Sequence, residues 1–273
     1  YQALAKSLNL PAVATVKELG IDKAFEAGEK FGLNMSDVDR VLGVALGGGV
    51  ETNPLQMAQA YAVFANEGLM PDAHFITHIE NASGQVIATH KNTQKRVVDK
   101  SVADKMTSMM LGTFTNGTGV SSSPDDYVMA GKTGTTEAAF NPEYTSDQWV
   151  IGYTPDLVIS HWLGFPTTDE NHYLAGSTSN GAAHIFRSMA ETILPYTPGS
   201  TFTVENAYKM NGIAPENTPK QTTSDTSTQS DDILADIRGR AQNLVDEAGK
   251  AISDAKIKEK AQTVWDTIVD LFR

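Results

Sequence analysis

Apolar positions along this chain change period several times, and each change predicts an element. From Tyr1 to about Gly32, Leu4, Leu8, Val13, Val16, Leu19, Phe25 and Phe31 recur at three- and four-residue steps broken by Gly20, which predicts short packed helices. Asn53-Pro54 ahead of Leu55, Ala58, Tyr61, Ala62 and Phe64, with Gly68 behind, supplies an N-cap, a proline at the first helical position and a glycine stop. Period two then takes over in Phe75 to Ile79 and Gln85 to Thr89, on either side of Asn81-Ala82-Ser83-Gly84, and predicts a hairpin. A helix follows over Val102 to Phe114. Beyond the turn-rich stretch from Asn116 to Asp126, strand-like runs occupy Tyr127 to Gly134, Gln148 to Tyr153 and Leu157 to Phe165, short enough in their connections to form an antiparallel sheet. Gly181 to Leu194 has Ile185, Phe186, Met189, Ala190 and Ile193 on one side, a helix stopped by Pro195. Helices flanking an antiparallel sheet make an α+β domain.

The pattern fails after that. Asn217 to Asp231 is almost entirely Thr, Ser, Gln, Asp, Pro and Lys, a composition that cannot bury a core. Beyond it, Ile233, Leu234, Ile237, Leu244, Val245 and Ile252 return at helical spacing among many charges. The expected organisation is therefore a folded domain over 1–208, a disordered, flexible linker over 209–231 and an amphipathic helical tail over 232–273. Such a tail could pack loosely, self-associate or contact a membrane surface or an envelope partner, although its acidic surroundings disfavour the membrane.

With 273 residues and 40% of them hydrophobic, one sizeable core is expected. A net charge of -12 excludes a phosphate-backbone partner, so no nucleic acid is expected. There is no cysteine, hence no disulfide, thiolate metal site or Cys nucleophile. Nowhere do eighteen or so apolar residues run together as a membrane span requires. The chain opens on Tyr1-Gln2-Ala3 in what reads as a helix, which suggests a start in mid-protein.

Chemistry must then rest on hydroxyl, amine, carboxylate or imidazole. Lys132-Thr133-Gly134-Thr135, after Ala130-Gly131 at the end of a predicted strand, joins a fixed positive charge to hydroxyls and backbone N–H groups. That combination suits a substrate carboxylate and a developing oxyanion, and Gly134 lets a backbone or substrate approach closely. Ser7-Leu8-Asn9 ends the first helix just before Pro11. Alone it reads as helix termination, with Asn9 capping the next helix. What raises its weight is order: Ser-x-Asn first, Lys-Thr-Gly well over a hundred residues later.

In these segments the chain resembles the penicillin-binding proteins and serine β-lactamases, whose motif set is SxxK, SDN and KTG. The resemblance runs from about Tyr1 to Tyr208 and is closest to the class A, bifunctional penicillin-binding proteins. It is carried by Ala3 to Val13, Gly47-Gly48-Gly49 to Ala58, Asn116-Gly117-Thr118-Gly119, Ala130 to Thr136 and Trp149-Val150-Ile151-Gly152-Tyr153. It implies acyl transfer at the D-Ala-D-Ala end of a peptidoglycan stem peptide through a serine ester, with β-lactams acylating the same serine and no cofactor. By position, Ser7 would relay a proton to the leaving nitrogen, and Asn9 would hydrogen-bond the substrate backbone and a catalytic lysine. Lys132 would supply positive potential near Ser7. Thr133 and Thr135 would bind the terminal carboxylate, beside Gly134, and the Thr135 N–H would form half of the oxyanion hole. The resemblance also implies an N-terminal membrane anchor, a glycosyltransferase domain and a place on the extracellular face of the cytoplasmic membrane.

No Ser-x-x-Lys precedes Ser7, so the nucleophile and its base lysine are expected upstream of Tyr1, in a missing N-terminal part, and the chain alone is expected to be inactive. Ser253-Asp254-Ala255-Lys256 has the letters but sits in the tail, on the wrong side of the other motifs. A β-lactamase or D,D-carboxypeptidase relative and a non-catalytic wall-binding module are the alternatives. His74 and His78 read as same-face, solvent-facing positions of one strand rather than zinc ligands, and no metal is expected. Glu137 reads as a solvated carboxylate, and Trp149 and Trp162 as packing residues.

Overall fold

The structure, a computed structural model, describes residues 1–207. The expected linker, the tail and Ser253 to Lys256 lie outside the described residues. Three helices open the chain: α1 (Gln2–Ala5), α2 (Asn9–Leu19) and α3 (Ile21–Lys30). Phe25 of α3 joins Met35 and Val38 in a small satellite core, with Arg40 over the Phe25 ring at 4.5 Å. α2 corrects the expectation of packing throughout: it buries none of its residues, and Leu10 is 83% exposed. Its apolar positions have helical spacing, but among the described residues it meets mainly the 3-10 turn Leu42–Leu46 and the neighbouring helices α1 and α3, without burying a residue.

α4 (Pro54–Ala65) forms as its sequence dictates. Extended Asn53 accepts a hydrogen bond from the Gln56 N–H at 3.0 Å, and Pro54 fills a position with no N–H to satisfy. β1 (Leu69–Pro71) pairs with β4 (Gln94–Arg96), and between them β2 (His78–Glu80) pairs with β3 (Val86–Thr89) as the predicted hairpin, with one register shift after Ile79. The hairpin is shorter than its alternation suggested, so His74 lies before β2. That overturns the strand reading of the two histidines. His74 stacks on His90 with ring centroids 3.7 Å apart, while His78 meets Glu80.

The main sheet is antiparallel. β5 (Ala130–Ala138) forms its edge, β6 (Asn141–Tyr153) its centre and β7 (Val158–Gly164) the other side, while β8 (Leu174–Ala175) pairs with the start of β6. α5 (Lys100–Asn116) packs along β5, and α6 (Ala182–Ile193) packs against β6 and β7. Gly131 and Gly152 face each other in the β5–β6 register. A Cβ on Gly131 would stand 2.0 Å from the Ile151 carbonyl, and one on Gly152 would stand 2.6 Å from the Phe186 ring. The space they leave is filled by Phe114 and Phe186, rings 5.9 Å apart, in a core shared with Met129, Val150 and Ile159. Burying each ring contributes on the order of 2–3 kcal/mol.

One buried polar side chain holds the functional end of this sheet. Gln148 is 1% exposed; its Oε1 accepts from the Ala182 N–H at 3.0 Å, and its Nε2 donates to the Gly176 carbonyl at 3.1 Å. α6 has no side-chain cap of its own, so Gln148 serves its first turn and clips the 176–178 segment to β6. Gln148→Met keeps the volume but strands both backbone partners. We expect a loss of about 2–3 kcal/mol in urea unfolding, against little change for the exposed Gln85→Met.

Candidate active site

α1 ends at Lys6, and the chain turns through Ser7 in the left-handed region, φ +54. A serine there costs about 1–3 kcal/mol and persists only when its surroundings impose it. Two contacts do. The Ala5 carbonyl accepts from the Thr118 N–H at 3.0 Å, and the Lys6 Nζ donates to the Asn116 carbonyl. Only glycine fits at 117, because a Cβ would lie 2.1 Å from the Ala5 oxygen. The Asn116-Gly117-Thr118-Gly119 turn thus holds α1 and aims Ser7 at the sheet.

What Ser7 meets is Lys132. The Lys132 Nζ donates to Ser7 Oγ at 2.8 Å and to the Thr133 carbonyl at 2.9 Å, although the two residues stand 125 positions apart. β5 is an edge strand, so alternate backbone N–H groups point away from β6 and are free to meet a ligand. Four flanking hydroxyls are tied in two pairs. Thr118 Oγ1 and Thr133 Oγ1 lie 2.6 Å apart, and so do Thr135 Oγ1 and Thr178 Oγ1. Thr178 also donates to the Gly134 carbonyl at 2.7 Å. Its one proton being used there, Thr135 must donate to Thr178 and offers an incoming anion its backbone N–H rather than its hydroxyl. Thr133 differs: either hydroxyl of its pair can donate, so its own proton becomes available to a ligand once Thr118 takes the donor role.

Asn9 stands in the first turn of α2, exposed, and among the described residues its amide has no hydrogen-bond partner. Glu137 is exposed past the KTGT run. Trp149 and Trp162 are cross-strand neighbours with rings 6.2 Å apart, and Trp162 Nε1 donates to Asp147 at 2.9 Å. Thr178 and Gln148 were missed by sequence reasoning. Among the described residues, no cluster of three His, Asp or Glu side chains could hold a metal ion.

The model for the penicillin binding protein transpeptidase domain matches residues 1–191. The chain belongs to the penicillin-binding protein transpeptidase family. It is 84% identical, over all 273 of its residues, to penicillin-binding protein 2a of Streptococcus pneumoniae, of which it covers 37%. Penicillin-binding protein 1A from Haemophilus influenzae shares the fold, with a TM-score of 0.62 at 21% identity over 74% of this chain and 35% of that one. So does penicillin-binding protein A from Mycobacterium tuberculosis, in a structure described as its imipenem acyl-enzyme complex, with a TM-score of 0.54 at 22% identity over 68% of this chain and 46% of that one. The chain therefore spans about a third of the length of its streptococcal relative.

In this penicillin-binding transpeptidase chain, burial lowers the Lys132 ammonium from 10.5 to about 8. Its two acceptors are a neutral hydroxyl and a carbonyl, and no carboxylate offsets the lost hydration. The sign follows from proton linkage. Below pH 8 the folded chain must hold a poorly hydrated ammonium, which opposes folding; between about 8 and 10.5 the unfolded chain binds more protons than the folded one, and stability rises with pH. Lys132→Met is expected to be more stable than the unaltered chain by about 2 kcal/mol at pH 7, a gain that fades toward pH 10.5. Thermal unfolding of both forms across that range would show a pH-independent difference if the ammonium were fully solvated.

Proposed function

We propose that this chain is the C-terminal part of a serine D,D-transpeptidase domain acting on D-Ala-D-Ala stem peptides in cell-wall cross-linking. The observation that carries the reading is the 2.8 Å contact between Lys132 and Ser7, the meeting of two motif segments far apart in sequence. In the proposed cycle a serine hydroxyl from an SxxK segment preceding Tyr1 attacks the penultimate D-Ala carbonyl. The C–N bond breaks, the leaving nitrogen takes a proton through Ser7, and free D-Ala departs. An amine of a neighbouring stem then displaces the serine oxygen, which recovers a proton.

Lys132 supplies positive potential to that relay and, with a pKa about 8, holds its proton loosely enough to share it with Ser7 Oγ at neutral pH. The Thr133 hydroxyl and the outward N–H groups of β5 receive the terminal carboxylate and the developing oxyanion, the Thr135 N–H among them. Thr135 joins with its hydroxyl only by leaving Thr178. Asn9, its amide unengaged, faces the substrate backbone and the catalytic lysine of the SxxK segment. Exposed Leu8 and Leu10 flank it and suit cover by that same upstream segment. The domain ends near residue 208, and the whole protein is a bifunctional, membrane-anchored enzyme with a glycosyltransferase domain, working on the extracellular face of the membrane. β-Lactams, which acylate the mycobacterial relative, are expected to acylate it too.

Fluorescent penicillin applied to the full-length protein and to this chain tests the reading. Label is expected on the full-length protein only, with Ser7→Ala slowing its acylation by about 10²–10⁴-fold. Label on neither would turn the site into a non-catalytic wall-binding surface. Label on this chain alone would refute an upstream nucleophile.

A further inference from the structure

Beyond the KTGT run, the β5–β6 hairpin continues outside the core clusters, burying little besides Ala138 and Thr145. Its end carries Phe140 and Tyr144, which gather with Tyr173 from the stretch before β8. The Tyr144 and Tyr173 rings are 4.1 Å apart, and Phe140 lies 6.0 Å from Tyr144 and 5.8 Å from Tyr173. None of the three belongs to a buried core cluster, and Phe140 is 39% exposed. The two phenols interact with each other, so the cluster offers aromatic faces rather than free hydroxyls. Register places it. Thr135 pairs with Gln148, four residues from Tyr144 on β6, so the shelf lies roughly 13 Å along the strand from the oxyanion end of the site. The connection is continuous, because the segment that starts at Tyr173 pairs with β6 through Leu174 and Ala175 and ends at Thr178, on Thr135 and Gly134.

Charge selects what such a shelf receives. From Thr133 to Phe186 the chain has six carboxylates and neither Lys nor Arg. Glu143, beside Tyr144, and Glu137 are both exposed. Aromatic faces with the Glu143 carboxylate at their rim favour a cation over an anion or a neutral chain. In a transpeptidase the second substrate is an amine, protonated in water. We propose that the Phe140–Tyr144–Tyr173 shelf, with Glu143 at its rim, binds the ammonium-bearing arm of the acceptor stem peptide. The shelf holds the arm roughly 13 Å from the acyl ester; on leaving it the ammonium gives its proton to water, and the neutral amine attacks the ester carbonyl and displaces the serine oxygen, which takes up a proton. This assignment rests on the transpeptidase reading and adds to it the place from which the acceptor enters.

The test uses the full-length protein, a thiolester analogue of the donor stem and a lysine-bearing tripeptide as acceptor. It measures the ratio of aminolysis to hydrolysis product, beside methanolysis as a neutral acceptor reaction and fluorescent-penicillin acylation as a readout of donor-site integrity. Tyr144→Ala is expected to lower the aminolysis ratio about fivefold or more, with methanolysis and acylation within about twofold. Tyr144→Phe should restore most of the ratio. Glu143→Gln, a surface change that leaves the fold alone, should lower it at low salt and converge with the unaltered protein at high salt. An unchanged ratio in both Tyr144→Ala and Glu143→Gln, or aminolysis and methanolysis falling together, would overturn the assignment. Failure of the unaltered protein to take the penicillin label would instead remove the transpeptidase reading, and this one with it.

Discussion

A lysine ammonium held mostly out of water, with two neutral oxygens as its acceptors, is the constraint around which this chain is arranged. Burial without a carboxylate costs stability, and the cost stays in the site as a proton that leaves readily and a potential that water does not quench. Two further demands follow. Ser7 has to be delivered to the ammonium, which needs a left-handed serine, and the strand carrying Lys132 has to remain an edge, since a pairing strand would cover the N–H groups a ligand needs. The first is met by the latch of Ala5 on the 116–119 turn, the second by seating β8 on β6 rather than on β5.

Support for the site comes from behind the sheet. Gly131 and Gly152 let Phe114 and Phe186 press against the β5–β6 pair, so the strand with Lys132 is fixed to α5 and α6 one position before the lysine. Gln148 holds the 176–178 segment to β6 and the first turn of α6 at once, which sets Thr178 against Gly134 and Thr135. The hydroxyls of the site are thereby oriented before any ligand arrives, and a donor fixed in advance loses little entropy when it is used. Thr135 is the exception, its hydroxyl spent on Thr178 unless a ligand draws it away.

These arrangements were unequally legible in the sequence. Asn53-Pro54 announced α4 to the residue, because capping is local chemistry, and the hairpin turn at Asn81 to Gly84 is local in the same sense. Lys132 and Ser7 were legible as letters in a known order, although nothing local said they would touch. Thr178 and Gln148 left no such trace: a buried glutamine within a strand pattern and a threonine in a polar turn become functional only through partners 28 to 44 residues away. α2 misled for the opposite reason. Its apolar spacing predicts a helix, and one forms, yet periodicity states which face wants cover and not whether the described chain provides it.

The acyl transfer proposed for this chain makes opposite electrostatic demands on one groove, and this strand pair has the means to meet both. In that reaction the donor ends in a carboxylate and would require positive potential where its carbonyl reacts; Lys132 is placed to supply it, with no other Lys or Arg between Thr133 and Phe186. The acceptor arrives as an ammonium and must be kept apart from that same lysine until it loses its proton. Like charges at one locus would repel, and a carboxylate placed beside Lys132 to relieve them would raise its pKa and end its use as a proton donor at neutral pH. Separation along the strand avoids the conflict. At roughly 13 Å, an acidic aromatic shelf attracts a cation while disturbing the potential at Lys132 far less than a carboxylate in contact with it would. Under this proposal, the part of the β5–β6 hairpin beyond the KTGT run separates the two charges along one strand.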